Sequence, residues 1–328
     1  TQPPVRHGHD PEPNPASPEH AWRWHYVGPV SLVDPRPRTI GSLGQVGPIA
    51  FGLWRYTDAD PGRARDVIET ALNAGMNLID GADIYGFTGD GTGFGLAEEI
   101  LGDVLRSAPQ LRERMVLATK GGITPPIPYD SSTTYLRSAC EATLRRLGVD
   151  VIDLYQIHRP DLLTHPAEVA ATLTALRDEG RIREVGVSNH TPAQVAALAA
   201  HLPFPIATNQ PEYSALHLAP LRDGTFDACM RDGTVPLVWS PLGGGALATG
   251  DGVRPELLGV LDALAEREQT DRSTIALAFA LAHPAAPVAI IGSQTPERIA
   301  GSVAALDVEL SRTDVYAIIQ ASEGVPLP

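Results

Sequence analysis

The stretch VIDLYQIHRPDLLTHPAEVAATLTALRDEGRIREVGVS, residues 151–188, contains two short apolar runs separated by one longer amphipathic segment. The runs at 151–157 and 183–188 are rich in valine and isoleucine, which is typical of buried strands. Thr164, close before a proline, predicts the start of a helix, and Gly180 predicts its end. The stretch therefore predicts a strand, a helix and a second strand, which is the repeating unit of parallel α/β folds.

The same alternation extends over most of the chain. Asp60 before Pro61 and Thr191 before Pro192 predict two further helix starts between apolar runs. Eight parallel strands with intervening helices predict an α/β fold of the (β/α)₈ TIM-barrel type. The eight predicted strands are 46–52, 76–80, 115–119, 151–157, 183–188, 205–209, 235–240 and 288–292.

Two segments are additional to this repeat. Residues 38–46, with Gly41 and Gly44, predict a small hairpin that closes the floor of the barrel. Residues 255–269 and 271–283 form two successive helical patterns between the last two strands, so at least one helix is extra.

The first 35 residues differ in composition from the rest of the chain. They are rich in proline and histidine and contain no apolar run that could form a signal-peptide core or an anchor. We expect residues 1–35 to be a disordered extension, in which His7 and His9 are solvated rather than metal-bound. Residues 36–328 are expected to form a single domain.

Charge and cysteine content exclude several classes of protein. The formal net charge is −14, an excess that repels nucleic acid and acidic membranes. No run of 18 apolar residues is present, so the sequence predicts no membrane span. Cys140 and Cys229 lie far apart, which favours two buried thiols in a reducing compartment over a redox pair or a metal site. We therefore expect a cytoplasmic protein without a metal.

Four ionisable side chains follow three consecutive predicted strands. Asp80 ends the second strand, with Tyr85 five residues later, Lys120 follows the third strand, and His158 follows the fourth. Each of these alone is more typical of a turn, of packing or of solvent contact. In a TIM barrel, however, all four lie on the rim that carries the chemistry, and burying charges without partners is costly. Together they predict a catalytic site.

This combination suits the reduction of a carbonyl group. A lysine cation near the Tyr85 phenol is expected to lower its pKa towards neutrality, so that the phenol acts as general acid. Asp80 is expected to keep Lys120 protonated, and His158 to hold the substrate carbonyl beside the phenol. Asp83 is assigned to the local turn.

A hydride donor is also required, and a nicotinamide fits the remaining rim residues. Asn189 and Gln210 offer amide groups for a carboxamide, and the Trp239 ring offers a flat face for the pyridine. The helix start after the eighth strand offers backbone N–H groups, and Arg298 a guanidinium, for phosphate.

These motifs resemble the aldo-keto reductase superfamily from about residue 38 to 322. The motifs IDGADIYG, ATKGG, DLYQIHRPD, VGVSNH, TNQPEYS, WSPLGGG and IIGSQTPERI occur in the family's order. The resemblance implies a catalytic tetrad of Asp80, Tyr85, Lys120 and His158, a small-molecule carbonyl substrate, a monomer, and a cofactor that is NADPH more often than NADH. It also implies the cofactor-binding residues Ser188, Asn189, Gln210, Trp239, Ser240, Leu242, Gly244, Ser293, Thr295 and Arg298.

Two departures from the family pattern concern the cofactor. Gly292 stands where many relatives have a lysine near the 2′-phosphate, which leaves Arg298 as the main residue that discriminates NADPH from NADH. Gly301 and Ser302 replace the Glu-Asn pair that faces the adenine in many relatives. The sequence therefore leaves NADH open.

Two other functions remain open at this point. A non-catalytic, cofactor-binding regulatory protein of the same fold would also contain most of these residues. A Schiff-base enzyme would use Lys120 as a nucleophile, but it needs that lysine to be neutral. Trp54 and Tyr129 are expected to shape the substrate pocket, whose loops do not predict one particular aldehyde or ketone.

Overall fold

A computed structural model describes residues 31–58 and 60–327 of the chain. Its barrel confirms the predicted (β/α)₈ architecture, because eight parallel strands close in the order β10-β3-β4-β5-β6-β7-β8-β9. Strands β1 and β2 form a separate antiparallel pair. The strands are β1 Arg38–Thr39, β2 Gln45–Val46, β3 Ile49–Gly52, β4 Leu78–Asp80, β5 Val116–Gly121, β6 Ile152–Ile157, β7 Ile182–Ser188, β8 Thr208–Gln210, β9 Val235–Trp239 and β10 Val288–Ile291.

Helices surround the barrel, and within the described residues eleven are α-helices. The two helical patterns predicted before the last strand are confirmed as α8 and α9, and residues 274–281 of α9 are all buried. The helices are α1 Pro61–Asn73, α2 Leu96–Ser107, α3 Thr133–Leu147, α4 Pro166–Asp178, α5 Pro192–Ala199, α6 Thr225–Asp232, α7 Ala246–Thr249, α8 Pro255–Arg267, α9 Arg272–Leu281, α10 Pro296–Gly301 and α11 Arg312–Glu323.

Helix starts follow local hydrogen-bonding chemistry. The Asp60 side chain accepts a hydrogen bond from the N–H of Arg63, and Thr191 forms a reciprocal capping box with Gln194. The helix starts predicted at Asp60 and Thr191 are therefore confirmed. The prediction that Thr164 starts α4 is wrong. The Thr164 hydroxyl donates to Asp161 Oδ2 at 2.6 Å, so His165, directly before the helix, caps it through Nδ1 instead.

The predicted hairpin is confirmed and closes the N-terminal end of the barrel. Ile40 and Val46 are fully buried, and they pack with Ala50, Leu78 and Val288 at the beginnings of barrel strands. The barrel interior is thus filled from below, and the residues that follow the strands are left to form the site at the opposite end.

The predicted disordered extension over residues 1–35 lies mostly outside the described residues. Its last part does not fit that prediction, because the N–H of Leu32 donates to Leu310 O at 2.8 Å and Val33 is buried. These apolar residues pack beside the segment that precedes α11, so the boundary at residue 35 is too late. Within residues 31–58 and 60–327, none of the helices combines the length and apolar character needed to cross a membrane.

Candidate active site

The four predicted catalytic residues lie together at the C-terminal rim of the barrel. Asp80 is the last residue of β4, Lys120 lies near the end of β5, and His158 directly follows β6. These three strands are neighbours in the barrel, so their ends meet. Tyr85 lies in the turn after β4, whose shape is fixed by a hydrogen bond from its N–H to Ala82 O at 3.1 Å.

Lys120 is fully buried, and all three of its ammonium donors have partners. The Nζ atom donates to Asp80 Oδ2 at 2.6 Å, to Gly81 O at 2.8 Å and to the Tyr85 hydroxyl at 3.1 Å. Burial lowers the pKa of Lys120, but the carboxylate and the phenol outweigh it, so the pKa lies above its ordinary value. Lys120 is therefore a fixed cation, as predicted.

Asp80 is held in place by two glutamine side chains. Its Oδ1 atom accepts hydrogen bonds from Gln156 Nε2 at 3.1 Å and from Gln210 Nε2 at 2.9 Å. Sequence reasoning missed Gln156, and the only signal for it was one amide within the apolar run of β6. Gln210 was predicted to bind a carboxamide, and its amide nitrogen is instead directed at Asp80, which leaves Oε1 for a ligand N–H group.

Tyr85 is nearly buried, and its hydroxyl oxygen accepts the hydrogen bond from Lys120. Its own O–H proton is therefore free for a substrate. The predicted lowering of its pKa is wrong: burial raises the pKa of the phenol, and the charge of Asp80 offsets part of the lowering by Lys120. The net effect keeps Tyr85 protonated, which is the state that a proton donor requires.

His158 packs edge-on against Tyr85, with 5.7 Å between the ring centroids. Burial lowers its pKa well below the ordinary value, and the charges of Lys120 and Arg159 lower it further, so the imidazole is neutral. Within the described part of the chain, Nδ1 is buried without a hydrogen-bond partner. The proton therefore belongs on Nε2, which makes His158 a hydrogen-bond donor towards the cavity.

Asp83 does more than shape the turn after β4. Its N–H donates to Lys120 O at 3.0 Å, and its fully buried carboxyl accepts a hydrogen bond from the Tyr135 hydroxyl at 3.1 Å. Burial, together with the nearby charge of Glu98, raises the pKa of Asp83 to about 8. This residue links the Tyr85 turn to β5 and α3.

A cavity of about 990 Å³ opens above these residues and crosses the mouth of the barrel. Trp54, which stands edge-on to Tyr85 at 5.1 Å between centroids, lines it as predicted. Lys120 lies beneath its floor. Among the described residues, the predicted Tyr129 and Thr295 do not line it. The predicted residues that do are Trp54, Asp80, Tyr85, His158, Ser188, Asn189, Gln210, Trp239, Ser240, Leu242, Gly244, Ser293 and Arg298.

Three side chains at the C-terminal ends of β7 and β9 form a hydrogen-bonded chain along one wall of the cavity. Trp239 Nε1 donates to Asn189 Oδ1 at 3.0 Å, and Asn189 Nδ2 donates to Ser188 Oγ at 2.8 Å. Asn189 adopts a positive φ of 57°, an unusual conformation for a residue other than glycine. The wall therefore presents a flat indole and small polar groups in a fixed arrangement.

The loop after β9 contributes backbone groups to the cavity and is contacted by a cation from another loop. Ser240 Oγ accepts a hydrogen bond from the N–H of Gly244 at 2.9 Å, and Gly244 adopts a positive φ of 69° that favours glycine. Arg55, from the loop after β3, reaches across to donate to Gly244 O at 3.1 Å. Sequence reasoning missed Arg55, because nothing in its local pattern marks it as a cavity residue.

The far end of the cavity lies beside α10. Ser293 and Arg298 line it together with Gly292, Gly301 and Ser302. A Cβ atom added at Gly292 would meet one atom at 4.0 Å, so this position leaves room for a ligand. These groups suit a dinucleotide: amides and an indole at one end, backbone donors in the middle and guanidinium groups near the phosphates.

Residues 48–323 match the model of the aldo/keto reductase family. The chain belongs to this family. A 6-dehydroglucose reductase of Novosphingobium aromaticivorans is 48% identical to it over 298 residues, which are 90% of this chain and 98% of the relative. Oxidoreductase YdhF of Escherichia coli is 36% identical over 288 residues, or 85% and 94% of the two chains.

A solved structure gives the same result for the fold. The glycerol dehydrogenase of Gluconobacter oxydans superimposes with a TM-score of 0.77 at 26% identity, covering 89% of this chain and 97% of that one. Aldo-keto reductases are oxidoreductases that use nicotinamide cofactors. The chain is therefore an enzyme of carbonyl and alcohol interconversion, as the resemblance implied.

Proposed function

We propose that this aldo-keto reductase uses NADPH to reduce a sugar aldehyde, with 6-dehydroglucose as the first candidate. The observation that carries the proposal is the protonated Tyr85 hydroxyl, 3.1 Å from a fixed lysine cation and beside a neutral imidazole, in the lining of one large cavity. The substrate follows from the 6-dehydroglucose reductase that is 48% identical to nearly the whole chain.

The chain's own residues manage the oxygen of the carbonyl group. His158 Nε2–H donates a hydrogen bond to that oxygen and positions it beside Tyr85. Tyr85 transfers its proton to the same oxygen, and Lys120 stabilises the phenolate that remains. Asp80, held by Gln156 and Gln210, keeps Lys120 charged throughout.

The cofactor supplies a hydride from its nicotinamide C4 when it is bound. Ser188, Asn189 and Gln210 would hold the carboxamide, and Trp239 would cover one face of the ring. The loop with Ser240, Leu242 and Gly244 would bind the pyrophosphate, and Ser293 and Arg298 the adenosine phosphate. Because Arg298 offers a guanidinium to a 2′-phosphate, NADPH is favoured over NADH.

A Schiff-base mechanism is less compatible with the geometry. A lysine nucleophile must lose its proton, whereas Lys120 donates to a carboxylate at 2.6 Å and its pKa is raised. Reduction with borohydride in the presence of an aldehyde should therefore leave Lys120 unlabelled.

The proposed function is tested by substrate and cofactor comparison. The purified chain is mixed with NADPH or NADH and with 6-dehydroglucose, an aromatic aldehyde or a ketone, and loss of absorbance at about 340 nm is followed. The highest kcat/KM is expected for NADPH with the sugar aldehyde. Cofactor binding without turnover of any carbonyl compound would instead favour a non-catalytic, regulatory protein.

A further inference from the structure

Arg159 is a charged residue of the cavity to which no role has yet been given. It directly follows His158 at the end of β6, and its side chain is half-buried in the lining of the same cavity. Its guanidinium carbon lies 5.8 Å from the centroid of the Trp239 ring. The residue is therefore close to both the catalytic imidazole and the indole wall.

Within the part of the chain that the structure describes, the donors of Arg159 have no partner. Among residues 31–58 and 60–327, no carboxylate forms an ion pair with it and no acceptor takes a hydrogen bond from it. By contrast, Lys120 is paired with Asp80, and Arg55, another arginine of the cavity lining, donates to Gly244 O. A guanidinium carries five N–H donors and no acceptor, so Arg159 can donate hydrogen bonds to acceptors of a ligand in the cavity.

The charge of Arg159 acts on the reacting groups. Burial is the main influence on the pKa of both Tyr85 and His158, raising the first and lowering the second, and the Arg159 cation lowers both. Arg159 directly follows His158, and both residues line the cavity together with Tyr85. A substrate whose carbonyl lies at Tyr85 and His158 would therefore place the atoms next to its reactive carbon near Arg159.

Sugar hydroxyl groups fit this position. Trp54 lines the same cavity beside Tyr85 and provides aromatic surface against which the apolar C–H face of a sugar ring can pack. Ring hydroxyl oxygens would then accept hydrogen bonds from the guanidinium.

We propose that Arg159 is a specificity-determining residue that donates hydrogen bonds to ring hydroxyl oxygens of the sugar aldehyde while its carbonyl lies at Tyr85 and His158. This inference deepens the proposed function and depends on it. In this role Arg159 distinguishes substrates with hydroxyl groups close to the aldehyde from aldehydes of similar size that lack them.

The test compares two ring aldehydes of the same skeleton. Methyl 6-dehydro-α-D-glucopyranoside carries ring hydroxyls, and tetrahydropyran-2-carbaldehyde lacks them. For wild type, Arg159→Met and Arg159→Lys, the ratio of kcat/KM for the first aldehyde to that for the second is measured with NADPH. Arg159→Met should lower this ratio about 10- to 100-fold, the value of one or two hydrogen bonds to a charged group, and Arg159→Lys should recover part of it.

Arg55→Met is the matched control. It also removes a guanidinium from the cavity lining, but Arg55 lies at the Gly244 loop, so both aldehydes should be affected alike and the ratio should stay at the wild-type value. An unchanged ratio in Arg159→Met would overturn the proposal. A second result would also overturn it: Arg159→Met loses kcat/KM for 4-carboxybenzaldehyde relative to benzaldehyde, while the ratio for the two ring aldehydes is unchanged. That result would assign Arg159 to anionic substrates.

A binding measurement separates failure of this inference from failure of the proposed function. Methyl α-D-glucopyranoside, which has the product's hydroxyls and no aldehyde, is titrated into the NADPH-loaded protein and followed by saturation-transfer NMR. Weaker binding to Arg159→Met than to wild type supports sugar recognition by Arg159 even if no aldehyde is turned over. Equal binding to the two proteins contradicts it even if the reductase activity is present.

Discussion

At the scale of single residues, the chemistry depends on where charge is fixed. Lys120 is paired with Asp80 and also donates a hydrogen bond to the Tyr85 hydroxyl. The lysine cation is therefore in place to stabilise the Tyr85 phenolate once the phenol has given up its proton. In the ligand-free site the phenol stays protonated because burial raises its pKa. The neighbouring imidazole stays neutral for the same physical reason.

These two pKa shifts predict a flat pH profile. His158 should not titrate near its ordinary value, and Tyr85 should keep its proton until above about pH 10. The value of kcat/KM for aldehyde reduction with NADPH should therefore be constant between about pH 6 and pH 9. A break near pH 7 in the steady-state profile would show that one of the two groups ionises in that range.

Asp83 predicts a pH-dependent stability. Its pKa is about 8 in the folded chain and about 4 when unfolded, so the unfolded state holds fewer protons between these values. Its stabilising contribution is complete below about pH 4 and is lost as the pH rises to about 8, by at most about 1.4 kcal/mol for each pH unit. Urea unfolding at several pH values measures this slope.

The matched variants are Asp83→Asn and Asp58→Asn. Asparagine at position 83 keeps an acceptor for Tyr135 and removes the titration, so its stability advantage over wild type should grow from pH 5 to pH 8. Asp58 is exposed, and its substitution should leave the slope as in wild type. Equal slopes in all three proteins would mean that Asp83 does not titrate in this range.

At the scale of elements, most of the architecture could be predicted from the sequence. Most of the eight strands could be predicted because buried parallel strands are continuous apolar runs, which one sequence is enough to reveal. The exception is β8, Thr208–Gln210, which is polar and overlaps only the end of the predicted run at 205–209. The start of α4 could not be predicted, because a hydrogen bond between Thr164 and Asp161 decides which residue caps it. Such competition between neighbouring side chains has no signature in residue order.

The site residues that could be predicted from the sequence are those at the ends of predicted strands. Asp80, Lys120 and His158 each directly follow or end an apolar run, which marks them for the rim. Gln156 was missed because sequence alone does not show which way a polar residue within a strand points. The direction of the Tyr85 pKa shift was missed because it depends on burial and on the distance to Asp80.

The hairpin of β1 and β2 is predicted to stabilise the barrel without taking part in catalysis. Ile40→Ala removes a fully buried side chain from the barrel floor and should lower the free energy of unfolding by about 2–5 kcal/mol. Its kcat/KM below the unfolding transition should match wild type. Thr39→Ala, an exposed position of the same hairpin, should change the stability little.

At the scale of the whole molecule, one cavity joins loops that follow several strands of the barrel. Arg55 after β3 meets Gly244 after β9, and Arg298 lies at the far end beside α10. A dinucleotide bound along this cavity would contact several loops at once. Binding should therefore stabilise the folded chain as a whole.

This predicts a cofactor-dependent melting temperature. NADPH at 100 times its Kd should add about 2.7 kcal/mol to the stability of the folded state, and NADH at the same concentration should add less because it lacks the 2′-phosphate. Differential scanning calorimetry measures both shifts. In Arg298→Met the two cofactors should give similar shifts; a retained preference for NADPH would remove Arg298 from the phosphate site.

The most direct measurement is the single-turnover and steady-state kinetics of Tyr85→Phe with NADPH and an aldehyde substrate. Only one hydroxyl is removed, so NADPH binding, followed by fluorescence titration, should remain close to wild type. The value of kcat should fall by about 10²- to 10⁴-fold, the usual contribution of a positioned proton donor. A variant that binds NADPH and keeps the wild-type kcat would contradict proton transfer from Tyr85.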